Sequence, residues 1–419
     1  MPLALDRHIA LIGPAGAGKT LGAELAGRIE RPFYDLHGES EQPAHRSLAD
    51  IFRRDSETDV GAGEALMRLR ERPPSVIALE GRVGGSPEVG EALSDNAMTV
   101  LVDGDLDERF RADLRTTDLD DVVLAALGIR IEEGARPEGG ALIADPHVLE
   151  LHSLELSETH TVYEKSIEEA RRLWADLGIS REGRIVGYGG GTTTDLAGFV
   201  AATYRRGVPW SAVPTTLVGQ VDAAIGGKVG VDLREGKALA GAFHYPEEVL
   251  IDPTLLSTLP EEERRAGMAE VVKAGLLAGR ELWELPEREL VRAAAAFKAE
   301  VCLVDPYERG RRAILGLGHT FAHALEAASL YTVRHGDAVA LGLLAALRLS
   351  GLSTDVVESV LDPRPLPVNR EDAWAALKRE QGAPGGGITL VLLEEPGRPI
   401  WNIERPEAEV RSALDTLIA

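Results

Sequence analysis

Three histidines and one glutamate between positions 270 and 335 have the residue types of a metal site. His319 and His323 are four residues apart, so a helix would present both imidazoles on one face. His335 follows in the same helical region, and Glu270 lies three residues before Lys273, again on one helical face. Two histidines at this spacing also occur on helix surfaces and in cores without any ligand. Three histidines together with a carboxylate favour a metal site.

A glycine-rich loop near the start of the chain is a second candidate site. The segment GPAGAGKT at 13–20 fits G-x-x-x-x-G-K-[ST] and stands between a predicted strand and a predicted helix. In such a loop, backbone amides surround phosphates, the lysine reaches the terminal phosphate and the hydroxyl binds magnesium. The motif predicts a site for ATP and Mg²⁺ formed by Gly13, Gly16, Gly18, Lys19 and Thr20.

A second glycine turn, GYGGGTTTDLAG at 187–198, also follows a predicted strand and opens a helix. Its glycines would let backbone amides approach a pyrophosphate at the helix N-terminus, where the helix dipole favours negative charge. A glycine turn can also simply reverse the chain, so this signal is moderate when taken alone.

Lysine is scarce, with 7 lysines against 38 arginines, and six of the seven lie in these motifs or in the segments from 165 to 298 considered below. An ammonium is a compact point charge and can titrate, which a guanidinium cannot do in a protein. We therefore expect a locally positive pocket that binds anions. The lysines concerned are Lys19, Lys165, Lys228, Lys237, Lys273 and Lys298.

Alternating strand and helix patterns must position these motifs. Apolar runs at 8–13, 75–81 and 98–104 predict an open parallel sheet. After a Pro/Gly-bearing acidic segment at 131–140, a second such pattern begins. Its predicted elements are strands at 141–145, 149–156 and 184–191 and a helix at 166–177. Beyond about residue 259 helical patterns dominate, with one late strand at 388–395.

Composition excludes several classes of protein. The net charge of −23 argues against nucleic-acid and membrane partners, because both would require a basic surface. The longest uncharged apolar run, at 338–347, is too short to span a bilayer. The single cysteine, Cys302, and a start without a secretory signal favour a reducing, cytoplasmic location.

The ordered motifs from 187 onward resemble those of the 3-dehydroquinate synthase family, over residues from about 141 to 419. They read GGG…D…GF, RG, PTT, QVDA, GGK, GK, TLP, AE..K, GHT..HA.E and HG. The family converts the sugar acid phosphate DAHP (3-deoxy-D-arabino-heptulosonate 7-phosphate) to 3-dehydroquinate, in the shikimate route to aromatic amino acids. The resemblance implies a homodimeric carbon–oxygen lyase. It uses NAD for a transient oxidation, then eliminates phosphate and closes the ring by an intramolecular aldol step.

The resemblance also assigns roles residue by residue. Glu270, His319 and His335 would bind zinc, with cobalt as the alternative metal, and His323 would transfer protons. The substrate-binding cations and the acids that orient them would be Arg206, Lys228, Lys273, Lys298, Arg312, Asp222 and Glu308. The NAD contacts would be Gly190, Gly191, Thr192, Asp195, Thr215, Thr216, Lys237 and Thr258, with Lys165 from an upstream segment.

Residues 7–115 resemble shikimate kinases, which transfer a phosphoryl group from ATP to the shikimate 3-hydroxyl. The family's D-x-D reads Asp35-Leu36-His37, its shikimate-clamping arginine falls near Gly61, and its glycine turn reads Glu80-Gly81-Arg82. Only Arg111 and Arg115 are candidates for its lid arginine. A site without its substrate clamp cannot hold the hydroxyl in line. We expect a degenerate kinase domain that still holds a nucleotide, with an active kinase as the alternative.

The expected fold class is an α/β P-loop kinase-like domain, then an α/β Rossmann-like NAD domain and an all-α metal-binding domain. The corresponding predicted boundaries are 1–135, 136–258 and 259–419.

Three positions depart from the synthase pattern. Its G-K-N reads Gly236-Lys237-Ala238, its L-N-f-G-H has Gly316 in place of the asparagine, and its late D-K-K reads Glu380-Gln381-Gly382, with Lys378 nearby. These changes remove polar substrate contacts and spare the metal and proton-transfer residues. Since each lost neutral hydrogen bond costs about 1 kcal/mol, we expect weaker binding or altered specificity.

Three other functions stay open. A sibling sugar-phosphate cyclase would apply the same chemistry to another phosphorylated sugar. A metal-dependent alcohol dehydrogenase would share the GGG-x-x-x-D turn, although it gives no reason for the lysines. A non-catalytic fusion would act as a nucleotide sensor or a scaffold.

Overall fold

Two six-stranded sheets organise the chain, which divides into two structural units. The computed structural model describes residues 3–14, 16–35, 46–47, 66–67, 72–80, 87–94, 96–102, 112–234, 236–381 and 387–419. Unit 1 comprises Met1–Arg130 and Ala299–Pro306, and unit 2 comprises Ile131–Lys298 and Tyr307–Ala419. Elements are numbered here within the described residues.

Unit 1 contains a six-stranded sheet in the order β3-β2-β4-β1-β5-β6, with parallel pairings throughout. All six residues of β1 are buried, as expected for a central parallel strand covered on both faces. The strands are β1 His8–Gly13, β2 Phe33–Asp35, β3 Arg46–Ser47, β4 Val76–Glu80, β5 Ala97–Leu101 and β6 Leu114–Arg115. The helices are α1 Ala17–Arg28, α2 Pro87–Ser94 and α3 Leu119–Ala126.

Several positions of the kinase resemblance lie outside the described residues: Leu36, His37, Gly61, Gly81, Arg82 and Arg111. Arg115 is described and is exposed at the end of β6.

The second six-stranded sheet has the order β7-β14-β11-β10-β8-β9, and its strands β8, β9, β10, β11 and β14 lie in unit 2. Its strands are β7 Ile129–Ile131, β8 Ala141–Ala144, β9 Glu158–Thr161, β10 Ile185–Gly189, β11 Trp210–Pro214 and β14 Glu248–Ile251. The hairpin β12 Lys228–Leu233 and β13 Gly236–Phe243 forms a separate antiparallel pair. Helices α4 Pro146–Leu151, α5 Ile167–Asp176 and α6 Gly191–Thr203 belong to this region. Gly187 of β10 lets α6 approach the sheet, because a Cβ there would lie 2.8 Å from the Ala197 Cβ.

The strand predicted at 149–156 is wrong. Residues Pro146–Leu151 form α4 instead, and the strand of this region is β9, Glu158–Thr161. Asp145 caps the helix by accepting a hydrogen bond from the His147 backbone N–H at 2.8 Å, and Pro146 occupies its first turn. This start signal outweighs the alternation of LELHSLEL.

After Thr258 the chain is mostly helical. The helices are α7 Glu261–Ala278, α8 Glu287–Val304, α9 His319–Ala328, α10 His335–Ser350, α11 Asp355–Leu361, α12 Arg370–Gln381 and α13 Glu407–Asp415. The expectation of an all-α region needs correction, because β15 Ile388–Glu395 and β16 Arg398–Arg405 pair as an antiparallel hairpin. Only the first of these strands was predicted. The second follows the turn at Gly397, which has a φ of +86°.

In the described part of the chain, no helix combines the length and apolar character needed to cross a membrane.

Candidate functional site

The candidate metal cluster is assembled by close helix crossings. A Cβ on Gly336 would lie 2.2 Å from the Ala266 Cα, so α10 meets α7 with room for a hydrogen only. A Cβ on Gly342 would lie 2.1 Å from the Gly318 carbonyl oxygen, which brings α10 against the start of α9. Gly318 has a φ of +78°, a conformation that glycine adopts without strain. These contacts bring the first residues of α9 and α10, His319 and His335, against the middle of α7.

Glu270, His319 and His335 converge at this crossing. One ligand atom from each lies within 4.8 Å of the others. Glu270 Oε1 is 3.2 Å from His335 Nε2 and 3.6 Å from His319 Nε2. The glutamate side chain is 1% exposed and that of His335 38%, so the cluster is anchored inside and open on one side. One carboxylate and two imidazoles with an open side match the ligand set of a catalytic zinc site.

Two lysines and a second acid surround the Glu270 carboxylate. Lys273 forms an ion pair with Glu270, and its Nζ lies 3.9 Å from Asp222 Oδ1. Lys298 Nζ donates to Asp222 Oδ1 at 2.6 Å and to the Asp222 carbonyl at 2.7 Å. Burial works against the charged form of Glu270, but Lys273 and the two histidines lower its pKa well below the usual range. Burial likewise opposes the charge on Lys273, yet Asp222 and Glu270 raise its pKa.

The two histidines differ in protonation. Burial and the charge on Lys273 lower the pKa of His319 to about 3. Burial also disfavours imidazolium at His335, but hydrogen bonds to Glu270 and Glu326 raise its pKa to about 9. His319 is therefore a neutral donor at pH 7, whereas His335 without a metal carries a proton. His323, predicted to transfer protons, lies one turn after His319, with ring centroids 5.4 Å apart.

Glu326 is a site residue to which the sequence analysis gave no role. Its carboxylate is 5% exposed and lies between His335 Nδ1, at 3.5 Å from Oε2, and Lys237 Nζ, at 3.2 Å from Oε1. Burial raises the pKa of Glu326, but His335 and Lys237 lower it to about 2. An available signal was the seven-residue spacing from His319, which is two helical turns and places both residues on one face.

A second group of predicted cations lies on the β12 side of the site. Lys228 forms an ion pair with Glu308, whose φ is +54°. Burial lowers the pKa of Lys228 in spite of that partner. Arg312 is 1% exposed, donates to the Gly226 carbonyl at 2.8 Å and to the Tyr245 hydroxyl at 3.2 Å.

The glycine turn leads from β10 into α6 as the sequence predicts. A Cβ on Gly190 would lie 3.0 Å from Thr216 Cγ2, and one on Gly191 would lie 3.0 Å from the Ala223 Cβ. The Thr215 hydroxyl is buried and has no hydrogen-bond partner within the described residues. Thr192 is exposed in the first turn of α6.

Lys165 and Asp195 lie beside this turn. Their side chains form an ion pair at 2.7 Å. The Lys165 carbonyl accepts a hydrogen bond from the Asp232 N–H at 2.7 Å, which links this segment to β12. The acid and the lysine therefore neutralise one another in this structure.

Three predicted residues are not joined to the metal cluster by the side-chain contacts described here. Arg206 is exposed, in a turn where both it and Arg205 have positive φ. The Thr258 hydroxyl lies 2.7 Å from His152 Nε2. The Thr216 hydroxyl accepts from the Gly219 N–H at 3.1 Å. Lys378, considered as a compensating residue, lies over the Trp374 ring at 5.6 Å.

In unit 1, the glycine-rich loop joins β1 to α1 as predicted. Gly16 precedes the helix with a φ of +88°, and Gly18 is buried against the Leu11 carbonyl. Lys19 Nζ lies 3.1 Å from Asp35 Oδ2, and the lysine side chain is 46% exposed. Thr20 donates its backbone N–H to the Gly16 carbonyl at 3.4 Å.

Family models divide the chain in the same order as the sequence resemblances. The model of the 3-dehydroquinate synthase N-terminal domain matches residues 154–266, and that of its C-terminal domain matches 267–362. The shikimate kinase model matches residues 15–124.

Curated relatives of this chain include 3-dehydroquinate synthases. That of Thermobifida fusca (strain YX) is 43% identical over 264 residues, covering 56% of this chain and 72% of the relative. That of Streptomyces avermitilis is 39% identical over 307 residues, covering 66% of this chain and 84% of the relative.

Solved structures with this fold include two cyclases. ValA, a 2-epi-5-epi-valiolone synthase from Streptomyces hygroscopicus subsp. jinggangensis 5008 with NAD⁺ and Zn²⁺ bound, has a TM-score of 0.62 and 26% identity. The alignment covers 69% of this chain and 96% of ValA. A 2-deoxy-scyllo-inosose synthase complexed with carbaglucose-6-phosphate, NAD⁺ and Co²⁺ has a TM-score of 0.62 at 23% identity, with the same coverage. The second likeness concerns the fold alone.

Proposed function

This chain belongs to the 3-dehydroquinate synthase family, and we propose that its Glu270, His319 and His335 hold the divalent metal ion of that reaction. The reaction is the conversion of DAHP to 3-dehydroquinate and phosphate. The observation that carries the site assignment is the convergence of these three donors, each from a different helix, within 4.8 Å.

The donor set fits zinc, and cobalt is the alternative. A carboxylate and two imidazoles are ligands that Zn²⁺ accepts, and a catalytic zinc keeps further positions for water or substrate. His335 is partly exposed, which leaves a side from which a substrate hydroxyl can approach. ValA, with the same fold, was solved with Zn²⁺.

The turn between β10 and α6 fits a dinucleotide. Gly190 and Gly191 leave the helix N-terminus uncovered by any Cβ, and the buried Thr215 hydroxyl lacks a partner among the described residues. We propose that NAD⁺ phosphates bind at this turn, with Thr192, Asp195, Lys165, Thr216, Lys237 and Thr258 as further contacts. When bound, the metal ion would supply Lewis acidity and NAD⁺ would accept a hydride.

The protein's own side chains divide the remaining work. His323, whose ring centroid is 5.4 Å from that of His319, would transfer protons near the reacting hydroxyl of the substrate. Lys273 and Lys298, held by Asp222, would orient ring oxygens and the substrate carboxylate. Lys228 and Arg312 would bind the phosphate, with Glu308 positioning Lys228. Because no side-chain contact described here joins Arg206 to this group, its assignment depends on the resemblance only.

Phosphate release from DAHP tests this proposal. Purified protein is incubated with DAHP, NAD⁺ and Zn²⁺, and inorganic phosphate and 3-dehydroquinate are measured. We expect release that needs both cofactors and appears without net NADH. A wild-type protein that binds NAD⁺ and Zn²⁺ yet releases no phosphate from DAHP would contradict the substrate assignment.

A sibling sugar-phosphate cyclase is the second candidate, favoured by one observation. Ala238 and Gly316 stand where the family pattern has amides, and the structurally similar ValA is such a cyclase. A parallel assay with heptulose phosphates that lack the carboxylate separates the two functions. Turnover of those sugars in preference to DAHP would favour the sibling activity, and net NADH production from simple alcohols would favour a dehydrogenase.

For unit 1 we propose a nucleotide-binding domain of shikimate kinase origin, with ATP and Mg²⁺ at Gly13, Gly16, Gly18, Lys19 and Thr20. The matched shikimate kinase model and the loop that joins β1 to α1 support this. Kinase activity is tested by adding shikimate and ATP and measuring ADP. We expect ATP binding without phosphoryl transfer. If ADP forms in proportion to shikimate, the domain is an active kinase.

We also propose a homodimer, by family resemblance, and a cytoplasmic location, which the single buried Cys302 supports. Sedimentation of the purified chain gives the oligomeric state directly.

A further inference from the structure

We propose that Glu326 is a positioning residue that fixes the orientation of His335 for metal binding. This inference rests on the proposed metal role of His335. Glu326 is not one of the three proposed metal ligands. It is the last residue of the GHT..HA.E motif, to which no role was given.

The geometry gives His335 a carboxylate on each side of its ring. Nε2 faces Glu270 Oε1 at 3.2 Å, and Nδ1 faces Glu326 Oε2 at 3.5 Å. An imidazole that binds a metal through Nε2 must carry its proton on Nδ1, and that proton needs an acceptor. Among the described residues, Glu326 is the carboxylate recorded at Nδ1. It therefore selects both the tautomer and the ring orientation.

The Glu326 carboxylate is itself held in place. Its Oε1 accepts from Lys237 Nζ at 3.2 Å, and Lys237 lies over the Tyr331 ring at 4.6 Å. The Tyr331 N–H donates to the Glu326 carbonyl at 2.7 Å, which pins the turn after α9. Because the Glu326 side chain is buried, leaving its carboxylate unpaired would be costly. Each of its oxygens has a cationic or N–H partner here.

Lys237 and His335 thus share one acid but depend on it differently. Removing Lys237 leaves the acceptor at Nδ1 in place, whereas removing Glu326 leaves His335 free to rotate or to change tautomer. This difference provides a matched control within the same contact network.

The test measures Co²⁺ affinity and spectrum on the full chain, without NAD or substrate. Glu326→Ala should weaken Co²⁺ binding by about 10- to 100-fold and change the visible d–d bands. Glu326→Gln, which keeps a carbonyl acceptor, should recover part of that loss. Lys237→Met should weaken Co²⁺ binding less than Glu326→Ala does, because Glu326 would still accept at Nδ1 although it has lost a cationic partner. Nitrogen NMR of the histidines should show the Nδ1–H tautomer of His335 in metal-bound wild type and in Glu326→Gln.

The outcomes separate this inference from the proposed function. A wild-type chain that fails to bind Co²⁺ overturns the metal proposal itself. A wild-type chain that binds Co²⁺, with Glu326→Ala equally tight and spectrally identical, overturns the positioning role alone. If Glu326→Ala does not fold, the NMR spectra of metal-bound wild type and Glu326→Gln decide. An Nε2–H tautomer of His335 in metal-bound wild type would overturn the role. An equal loss in Lys237→Met would show that the hairpin, rather than Glu326, orients His335.

Discussion

The two units surround their lysines differently. In unit 1, Lys19 is 46% exposed and pairs with Asp35 at the end of β2. In unit 2, Lys273 is 3% exposed and has both Glu270 and Asp222 nearby, and Lys298 is 11% exposed against Asp222. Lys165, Lys228 and Lys237 each have a carboxylate as well. The expected positive pocket is therefore a network of paired charges.

The difference follows from burial. A buried ammonium without a partner carries a large desolvation penalty, so each buried lysine of unit 2 requires an acid fixed by the fold. A half-exposed lysine remains solvated and can change partner when a ligand arrives. Unit 2 therefore holds Lys273 and Lys298 in position before any ligand binds, whereas Lys19 would exchange Asp35 for a phosphate.

The largest expected effect breaks the paired network at its centre. Glu270→Gln removes a proposed metal ligand and the closest acid of Lys273, so phosphate release from DAHP should fall at least about 1000-fold. The free energy of unfolding should fall by about 3 kcal/mol, because Lys273 stays buried. Enzyme assay and urea denaturation measure both effects, and Glu281→Gln on an exposed glutamate is the control. Full activity in Glu270→Gln would refute the metal assignment.

The second prediction uses pH to compare the two histidine ligands. Because the pKa of His335 is raised to about 9, its proton stabilises the metal-free fold below the usual pKa of 6.5, and this stabilisation is lost as pH rises through 9. A metal must displace that proton, whereas His319, with a pKa of about 3, has none to lose at pH 6. Co²⁺ affinity should therefore rise about tenfold per pH unit between pH 6 and 8.

Calorimetry in buffers of different ionisation enthalpy checks this prediction directly. We expect about one proton released per Co²⁺ at pH 7. A value of zero would mean that His335 is neutral before the metal binds, and His335→Gln should abolish the release together with most of the affinity.

A third prediction concerns the exposed lysine of unit 1. Lys19→Ala should weaken Mg·ATP binding by about tenfold or more, since it removes a charged hydrogen bond to phosphate. Phosphate release from DAHP should change less than about twofold. Fluorescent ATP-analogue titration measures the first quantity. Unchanged nucleotide affinity would indicate that the loop does not use Lys19.

The smallest effect lies in the β12–β13 hairpin. Ala238 has a φ of +50°, a conformation that costs an L-residue about 1–2 kcal/mol and that asparagine tolerates better. Ala238→Asn should therefore raise the free energy of unfolding by about 0.5–1 kcal/mol and lower the KM for DAHP. Ala240→Asn, in the same strand, is the control and should show no gain. A loss of stability in Ala238→Asn would contradict the expectation that the positive φ of residue 238 costs the folded state free energy.

Much of the candidate site could be predicted because its residues fall into local motifs. Glu270 with Lys273, and His319 with His323, are each set by spacing along a single helix, and the glycine turn directly follows a strand. The sequence marked His335 as one of three nearby histidines, but its role as a ligand, like those of Glu270 and His319, came from the resemblance. His335 and Glu270 are 65 positions apart, so no spacing along one helix joins them.

Other features could not be predicted, for a physical reason. The seven-residue spacing places Glu326 on the face of His319, but its role comes from contacts to His335 and Lys237 on other elements, which the spacing does not predict. The helix at 146–151 was missed because the capping Asp145 and Pro146 were given less weight than an alternating apolar pattern. The acids that pair with the lysines were predicted in part, as with Asp222 and Glu308.

The crossing of α10 over α7 limits how this protein can vary. The atom nearest to a Cβ at position 336 would be the Ala266 Cα, so a smaller residue at 266 would not make room. A compensating substitution at position 266 therefore cannot remove the clash that a methyl group at position 336 would make. Only a wider separation of α7 and α10 would accommodate that methyl group. Retention of the proposed ion would then depend on Gly336 and Gly342 as well as on the imidazoles. A screen for variants that fail to bind Co²⁺ should return substitutions at 336 and 342, although neither position offers a donor atom.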